Sequence, residues 1–268
     1  MAQSGEQPVT GGNMTPVVRV GKTIHRQAGP WSPTVQHLLR HLEDKGFDGA
    51  PRALGFDERG REMLSYIEGE AGFFDATDTD PPGLWSDQTL VEAATILRGF
   101  HDATIDFVPP DPACWQLVYP DPGQHDVICH NDFAPYNCVF DGGHIRAVID
   151  FDTAGPGPRR WDVALAAYRF VPLVPDEALA SFGLSQPVDQ ASRLRLFCDA
   201  YGLAERHAFV GLVVTRIEAI LSMLLDGAAA GNEAFQRHLD EGGHIEGYER
   251  DRNHVHRHGH DLQAAIDA

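Results

Sequence analysis

Residues 128–152 read ICHNDFAPYNCVFDGGHIRAVIDFD. The segment VICH (127–130) is a short apolar run of the kind that forms a buried strand. NDFAPYN (131–137) is a loop, because Pro135 has no N–H to donate and pushes Ala134 out of the helical region. CVF and HIRAVID flank Asp141-Gly142-Gly143, which is a hairpin signal. Strands paired in a hairpin bring their outer ends together. Asn137 stands just before the first strand and Asp150 ends the second, so an amide oxygen and a carboxylate fall side by side. Two hard oxygen ligands with room for water and phosphate suit Mg2+. Asp132, on the same loop, can face the same point and accept a proton from an attacking hydroxyl. Each of these residues alone is ordinary turn chemistry. The spacing H-x-D-x-x-x-x-N, followed by a hairpin that returns an Asp to its base, is more specific.

Together with VIDFD (148–152) and RRWDVA (159–164), His130, Asp132 and Asn137 resemble the aminoglycoside phosphotransferases and the choline-kinase-like branch of the protein-kinase fold. The resemblance implies that Asp132 is the catalytic base and that Asn137 and Asp150 hold Mg2+. It implies that His130 braces the loop and that Asp162 fixes it from the next helix. ILRGFHDA (96–103) is similar to the family's helix preceding this loop. The implied fold class is α+β and two-lobed, with a small, mostly β N-terminal lobe carrying one helix and a larger, mainly helical C-terminal lobe. Residues 1–67 form the small nucleotide-binding lobe, with a linker strand at 63–70. Residues 71–268 form the helical lobe with the catalytic loop and the acceptor site.

Outward from the loop, the pattern agrees. PVVRVG and KTIHRQ are short β-like runs around Gly21. Ser32 and Pro33 open a helix whose Val35, Leu38, Leu39 and Leu42 share a face, and Gly46 closes it. Residues 51–70 read as a hairpin turning at Asp57–Gly60, and 71–83 as a connector. Leu90, Ala94, Leu97 and His101 form one helical stripe capped by Ser86. Further helices are expected at 160–171, 191–202, 205–227 and 232–240.

In the small lobe, Thr10, Gly11, Gly12 and Asn13 look like a loop that covers phosphates with backbone amides. Arg26 aligns with the family's basic residue on the third strand, which holds the α/β-phosphates, and an arginine can do so bidentately. Lys22, at the preceding turn, faces solvent. The helix should supply a Glu to that basic residue, yet the matching turn reads Thr34, Val35, Gln36, His37. EMLSYIEGE (62–70) resembles the linker between lobes, where Ser65, Tyr66 and Ile67 offer backbone to an adenine and Met63 a wall. The stretch from Gly21 to Gly55 also looks like trifolitoxin-immunity-type proteins of bacteria.

Composition narrows the partners. An apolar fraction of 43% in 268 residues gives a globular chain with a sizeable core. With 21 basic and 39 acidic residues the net charge is −18, which disfavours nucleic acid and anionic membranes and suits a cationic ligand. The first residues lack a basic head followed by an apolar run, and the four scattered cysteines read as reduced core thiols, so the expected location is the cytoplasm. A monomer or homodimer is expected. His254, His256, His258 and His260 alternate near the C-terminus, a spacing that in an extended segment suits a divalent metal; a frayed tail is the plainer reading.

The resulting expectation is an ATP- or GTP-dependent phosphotransferase acting on a hydroxyl of a small cationic molecule of aminoglycoside type. Asp152, Glu205, Glu218 and Asp226 are the acidic candidates for binding it. The alternatives are a kinase of choline, an amino alcohol or a sugar derivative, and a non-catalytic binding or immunity protein that keeps the fold.

Overall fold

Short β-rich segments around a single helix give way, beyond residue 83, to long apolar-striped helices, and the architecture follows that division. A computed structural model describes residues 5–9, 17–71, 81, 83–184, 186–240 and 243–268. The first part forms an antiparallel sheet from β1 (Gln7–Pro8), β2 (Val17–Val20), β3 (Thr23–Arg26), β4 (Ala53–Phe56) and β5 (Glu62–Ser65). Its strand order is β1-β2-β3-β5-β4. Helix α1 (Ser32–Asp44) packs on β4 with Val35, Leu38, Leu39 and Leu42 fully buried. It begins one residue before the expected start, with Trp31 at the cap and Ser32 Oγ accepting the Gly29 N–H at 3.0 Å.

Register decides which side chains meet. Arg26 pairs with Glu62, and Ile24 with Leu64, on one face; His25 pairs with Met63 on the other. The chain then crosses to β6 (Glu70–Ala71), which pairs with β8 (Cys138–Asp141). At the crossing Gly69 has φ +145°, and a Cβ there would lie 2.3 Å from the Phe140 carbonyl oxygen, so only glycine passes.

The remainder is helical around small strands. β7 (Val127–Cys129) pairs with β10 (Gly155–Gly157), and β8 pairs with β9 (His144–Val148) through a two-residue turn. Gly142 and Gly143 both have positive φ, as such a hairpin requires. Helices α2 (Asp87–Thr104) and α3 (Arg159–Phe170) pack on these strands, and α4 (Gln190–Tyr201), α5 (Phe209–Ala229) and α6 (Glu233–Asp240) form the layer beyond them. Ser86 caps α2 by accepting the Thr89 N–H, and Leu90, Ala94, Leu97 and His101 are buried. Cys129, Cys138 and Cys198 are buried free thiols, while Cys114 is exposed rather than in the core.

One expectation is corrected. The His-rich end is neither extended nor frayed but a 24-residue helix, α7 (His244–Asp267), packed on α4 and α5. Val255, Leu262 and Ile266 recur at helical spacing and are buried, each contributing about 1.5–3 kcal/mol of apolar burial. Alternate histidines on a helix diverge by roughly 200°. His254 and His258 share a side, with ring centroids 4.6 Å apart, while His256 and His260 point elsewhere. Among the described residues no group of three or more metal-ligating side chains converges. Nor is any helix among them long and apolar enough to cross a membrane.

Candidate active site

The loop after β7 is held from beneath by a buried carboxylate. Asp162, in the first turn of α3, accepts the backbone N–H of His130 at 2.6 Å and of Asn131 at 2.8 Å. The His101 ring reaches the same carboxylate at 3.1 Å through Nε2, and its Nδ1 lies 2.7 Å from the Tyr201 hydroxyl. His101 therefore donates from Nε2 and accepts at Nδ1. Burial alone would push the Asp162 carboxyl up, but the His101 ring and the backbone donors hold it below its usual value. His130 ties the two ends of the motif together. Its Nδ1 accepts the Asp132 N–H at 3.3 Å and its Nε2 donates to the Ile149 carbonyl at 3.1 Å, one residue before Asp150. Asn131 adopts φ +65°, sends its amide to the Thr153 carbonyl at 3.0 Å, and gives its own carbonyl to Arg216 at 2.8 Å.

Asp132 is presented by this frame. The Tyr136 hydroxyl donates to Oδ1 at 2.6 Å and the Asn137 amide to Oδ2 at 2.8 Å. Burial pushes the Asp132 carboxyl above its usual value, against the Tyr136 hydrogen bond that pulls it down. Asn137 also donates to the Asp132 carbonyl at 2.9 Å, so its amide nitrogen is committed to the base and its oxygen is turned away from it. The Asn137 carbonyl accepts the Ile149 N–H at 2.8 Å, which fixes the base of the hairpin beside Asp150. Asp150 has φ +62° and a carboxylate half open to solvent.

Arg26 reaches this corner from the small sheet. The residue is 8% exposed. Its Nε donates to Glu62 Oε2 at 2.7 Å, its Nη1 to Asp150 Oδ1 at 3.1 Å, and its Nη2 to Asp152. Glu62 is fully buried, and its other oxygen accepts the Gln36 amide at 3.0 Å. Burial raises the Asp152 carboxyl to about 6, with Arg26 opposing the shift. One guanidinium against three carboxylates leaves a surplus of negative charge. A divalent cation suits that surplus, and the free Asn137 oxygen with the open Asp150 carboxylate is a hard donor pair fit for it.

Residues 109–195 match the phosphotransferase enzyme family. The trifolitoxin immunity protein of Rhizobium leguminosarum bv. trifolii is 40% identical over 214 residues, covering 77% of this chain and 78% of that protein. This chain belongs to the phosphotransferase enzyme family. It is a phosphotransferase with a hydroxyl acceptor, as the family and the kinase fold together indicate. A choline/ethanolamine kinase family protein from Mesorhizobium loti superposes with a TM-score of 0.61 at 15% identity, covering 100% of this chain and 95% of that one. The amicoumacin kinase in complex with AMP-PNP, Ca2+ and Ami superposes with a TM-score of 0.62 at 13% identity, covering 88% of each chain. At such identities the likeness concerns the fold, which is protein-kinase-like, with a small sheet lobe and a helical remainder.

In this phosphotransferase the other expected residues part company. Gly11, Gly12 and Asn13 lie outside the described residues. Met63 pairs with His25 on the sheet face opposite Arg26, so it cannot wall a nucleotide held there; Ile24 and Leu64 share the Arg26 face instead. The N–H groups of Ser65 and Tyr66 are taken by the carbonyls of Arg52 at 3.0 Å and Lys22 at 2.9 Å. Those two donors are thus used within the lobe, although Tyr66 and Ile67 both lie past the end of β5. Of the acidic acceptor candidates only Asp152 joins the site. Glu205 is exposed and nearest to Arg160, and Asp226 accepts from Ser222 on the outer side of α5. Glu218 is exposed two residues beyond Arg216, whose side chain turns inward to the loop, and such a step on a helix points the other way. Sequence reasoning missed Glu62, Tyr136 and Arg216. Arg26 and Glu62 are directly paired residues of β3 and β5, but only the strand register shows it.

Proposed function

We propose that this chain transfers the γ-phosphoryl group of ATP or GTP to a hydroxyl of a small antibiotic or toxin, and that this modification confers immunity. The observation that carries the reading is Asp132, half-buried, gripped on both oxygens and pushed above its usual pKa, in a loop pinned to Asp162. Asp132 accepts the proton of the acceptor hydroxyl as its oxygen bonds to the γ-phosphorus and the bond to the β–γ bridging oxygen breaks. The products are a phosphoester and a nucleoside diphosphate. Arg26 binds and orients the phosphates. Asn137 and Asp150 would hold Mg2+, which neutralises phosphate charge when bound. The immunity half of the reading is supported by the 40% identical trifolitoxin immunity protein. An aminoglycoside-type acceptor is the class favoured by the net charge of −18, although the carboxylates expected to bind it are mostly turned outward.

The test is a phosphorylation screen with ATP and GTP against aminoglycosides, hydroxyl-bearing peptide antibiotics and amino alcohols. Acceptor-dependent release of nucleoside diphosphate, lost in Asp132→Asn, is the expected result. A chain that binds nucleotide yet turns over with none of them would instead be a binding protein on a kinase fold.

A further inference from the structure

Arg26 poses a problem that the sequence leaves open. The turn of α1 that should supply a carboxylate to the basic residue carries Gln36, and an isolated buried guanidinium would be strongly disfavoured. The structure assigns the missing role to Glu62: we infer that Glu62, on β5, is the positioning residue that aims Arg26 at the nucleotide phosphates. The inference rests on the phosphotransferase reading above.

Three observations carry it. First, Glu62 is the direct cross-strand partner of Arg26 and meets it at Nε, 2.7 Å away, which is the one guanidinium nitrogen not on the outer fork. Holding Nε fixes the plane of the group and leaves Nη1 and Nη2 together on the side of Asp150 and Asp152. Those two nitrogens are the pair that grips two phosphate oxygens. Second, Glu62 is itself held. It is fully buried, and Gln36 donates to its second oxygen at 3.0 Å while accepting the Gly55 N–H at 2.9 Å. The helix residue has thus become a support for the carboxylate instead of its source. Third, the arrangement explains why the basic residue is an arginine. A lysine ammonium has three donors on one nitrogen, without the rigid fork that holds Glu62 at one edge and two oxygens at the other. A consequence follows for motion. A carboxylate on a helix can swing away with the helix, whereas Glu62 sits in the same sheet as Arg26, one strand away. The charge that aims Arg26 is therefore set within the sheet, with α1 supporting it only through the neutral Gln36 amide.

The test is a double-mutant cycle on Arg26→Ala and Glu62→Gln, read by calorimetric nucleotide binding with and without Mg2+ and by separate KM values for nucleotide and acceptor. Glu62→Gln should weaken nucleotide binding roughly tenfold, the scale of one charge-assisted hydrogen bond, and leave the acceptor KM near wild type. In the Arg26→Ala background the same substitution should add almost nothing, because Glu62 acts through Arg26. If Glu62→Gln does not fold, Glu62→Gln with Gln36→Glu replaces it. That pair keeps the net charge and the hydrogen bonds among the three side chains, gives up the Gln36 bond to the Met63 carbonyl, and moves the charge off Arg26, and it should still bind nucleotide more weakly than wild type. Wild-type nucleotide affinity in either variant, or losses that add in the cycle, would overturn the assignment while leaving the phosphotransferase reading intact. A wild-type chain that binds no nucleotide at all would overturn both.

Discussion

The Asn137 side chain spends its amide nitrogen on Asp132, 2.8 Å from Oδ2 and 2.9 Å from the carbonyl oxygen. An amide has only one other end, so its oxygen is turned from Asp132, and the Ile149 N–H bond to the Asn137 carbonyl brings Asp150 to the same end of the hairpin. In the proposed reaction the base and the metal donor are thereby coupled through a single side chain. Losing Asn137 should disturb both proton acceptance and metal binding, whereas losing Asp132 should disturb the first far more than the second.

Asp132→Asn is the direct check. The new NH2 can face the Tyr136 hydroxyl, which turns to accept, while the retained oxygen keeps the Asn137 bond. The fold should stand, nucleotide affinity should stay within about twofold, and turnover should fall by about a hundredfold or more, the scale of a positioned base. Steady-state kinetics beside calorimetry would show it. Unchanged turnover removes Asp132 from the chemistry.

Tyr136→Phe tests the electrostatics. Burial raises the Asp132 carboxyl and the Tyr136 hydrogen bond partly offsets that rise. The acid limb of the pH–rate profile should therefore lie above the ordinary carboxylate range. Removing the hydroxyl removes a donor to the charged form, so the limb should move to still higher pH. A limb that stays put or moves down would mean that another group governs it.

Much of this site is readable in the sequence, and the reason is local. His130 to Asp152 spans one loop and one hairpin, and strand pairing converts that spacing into proximity without help from the rest of the chain. Asp162 is also legible, as a carboxylate in the first turn of the next helix. Glu62 is not, because its meaning lies in a register between strands 36 residues apart. Which of Met63 and Leu64 shares the Arg26 face turns on the same register, since one step along β5 exchanges them. α7 was obscured by composition: its buried stripe of Val255, Leu262 and Ile266 is sparse among histidines and arginines, and its burial depends on α4 and α5 being in place.

Asp162 should matter to stability as much as to activity. Asp162→Ala strands two buried backbone N–H groups and the His101 ring, and should cost about 3 kcal/mol or more in denaturant unfolding. The sign with pH follows from its direction. A carboxyl held below its usual value adds stability above the ordinary carboxylate pKa and loses it as pH falls through the folded value. Acidification below about pH 4 should therefore weaken the wild type through this group, and Asp162→Asn should flatten that dependence. An unaltered acid slope would place the loss in other carboxylates.

Asp150 and Asp152 should separate when metal is titrated. Asp150 is the open carboxylate beside Asn137, and Asp152 is the more buried one, raised to about 6 and bound to Arg26. Asp150→Ala should abolish the Mg2+ dependence of nucleotide binding, and Asn137→Ala should weaken it. Asp152→Ala should keep that dependence. The reverse outcome would move the metal ligand two residues along the chain.

Arg26→Lys carries the sharpest consequence of the geometry. Three guanidinium nitrogens contact three carboxylates. On nucleotide binding, Nη1 and Nη2 can exchange their carboxylates for phosphate oxygens while Nε stays on Glu62. A lysine ammonium is a single point on a flexible stem. Its three donors would be divided between fully buried Glu62 and the phosphates, without the fixed spacing that a fork gives to two oxygens. Although it preserves the charge, Arg26→Lys should raise the nucleotide KM about tenfold, on the scale of one charge-assisted hydrogen bond. Arg26→Ala should raise it further, and both should leave the acceptor KM nearly alone. The measurement is steady-state kinetics with each substrate varied separately. A lysine variant indistinguishable from wild type would mean that only the charge at position 26 matters, and the forked contact seen here would have no part in holding the phosphates.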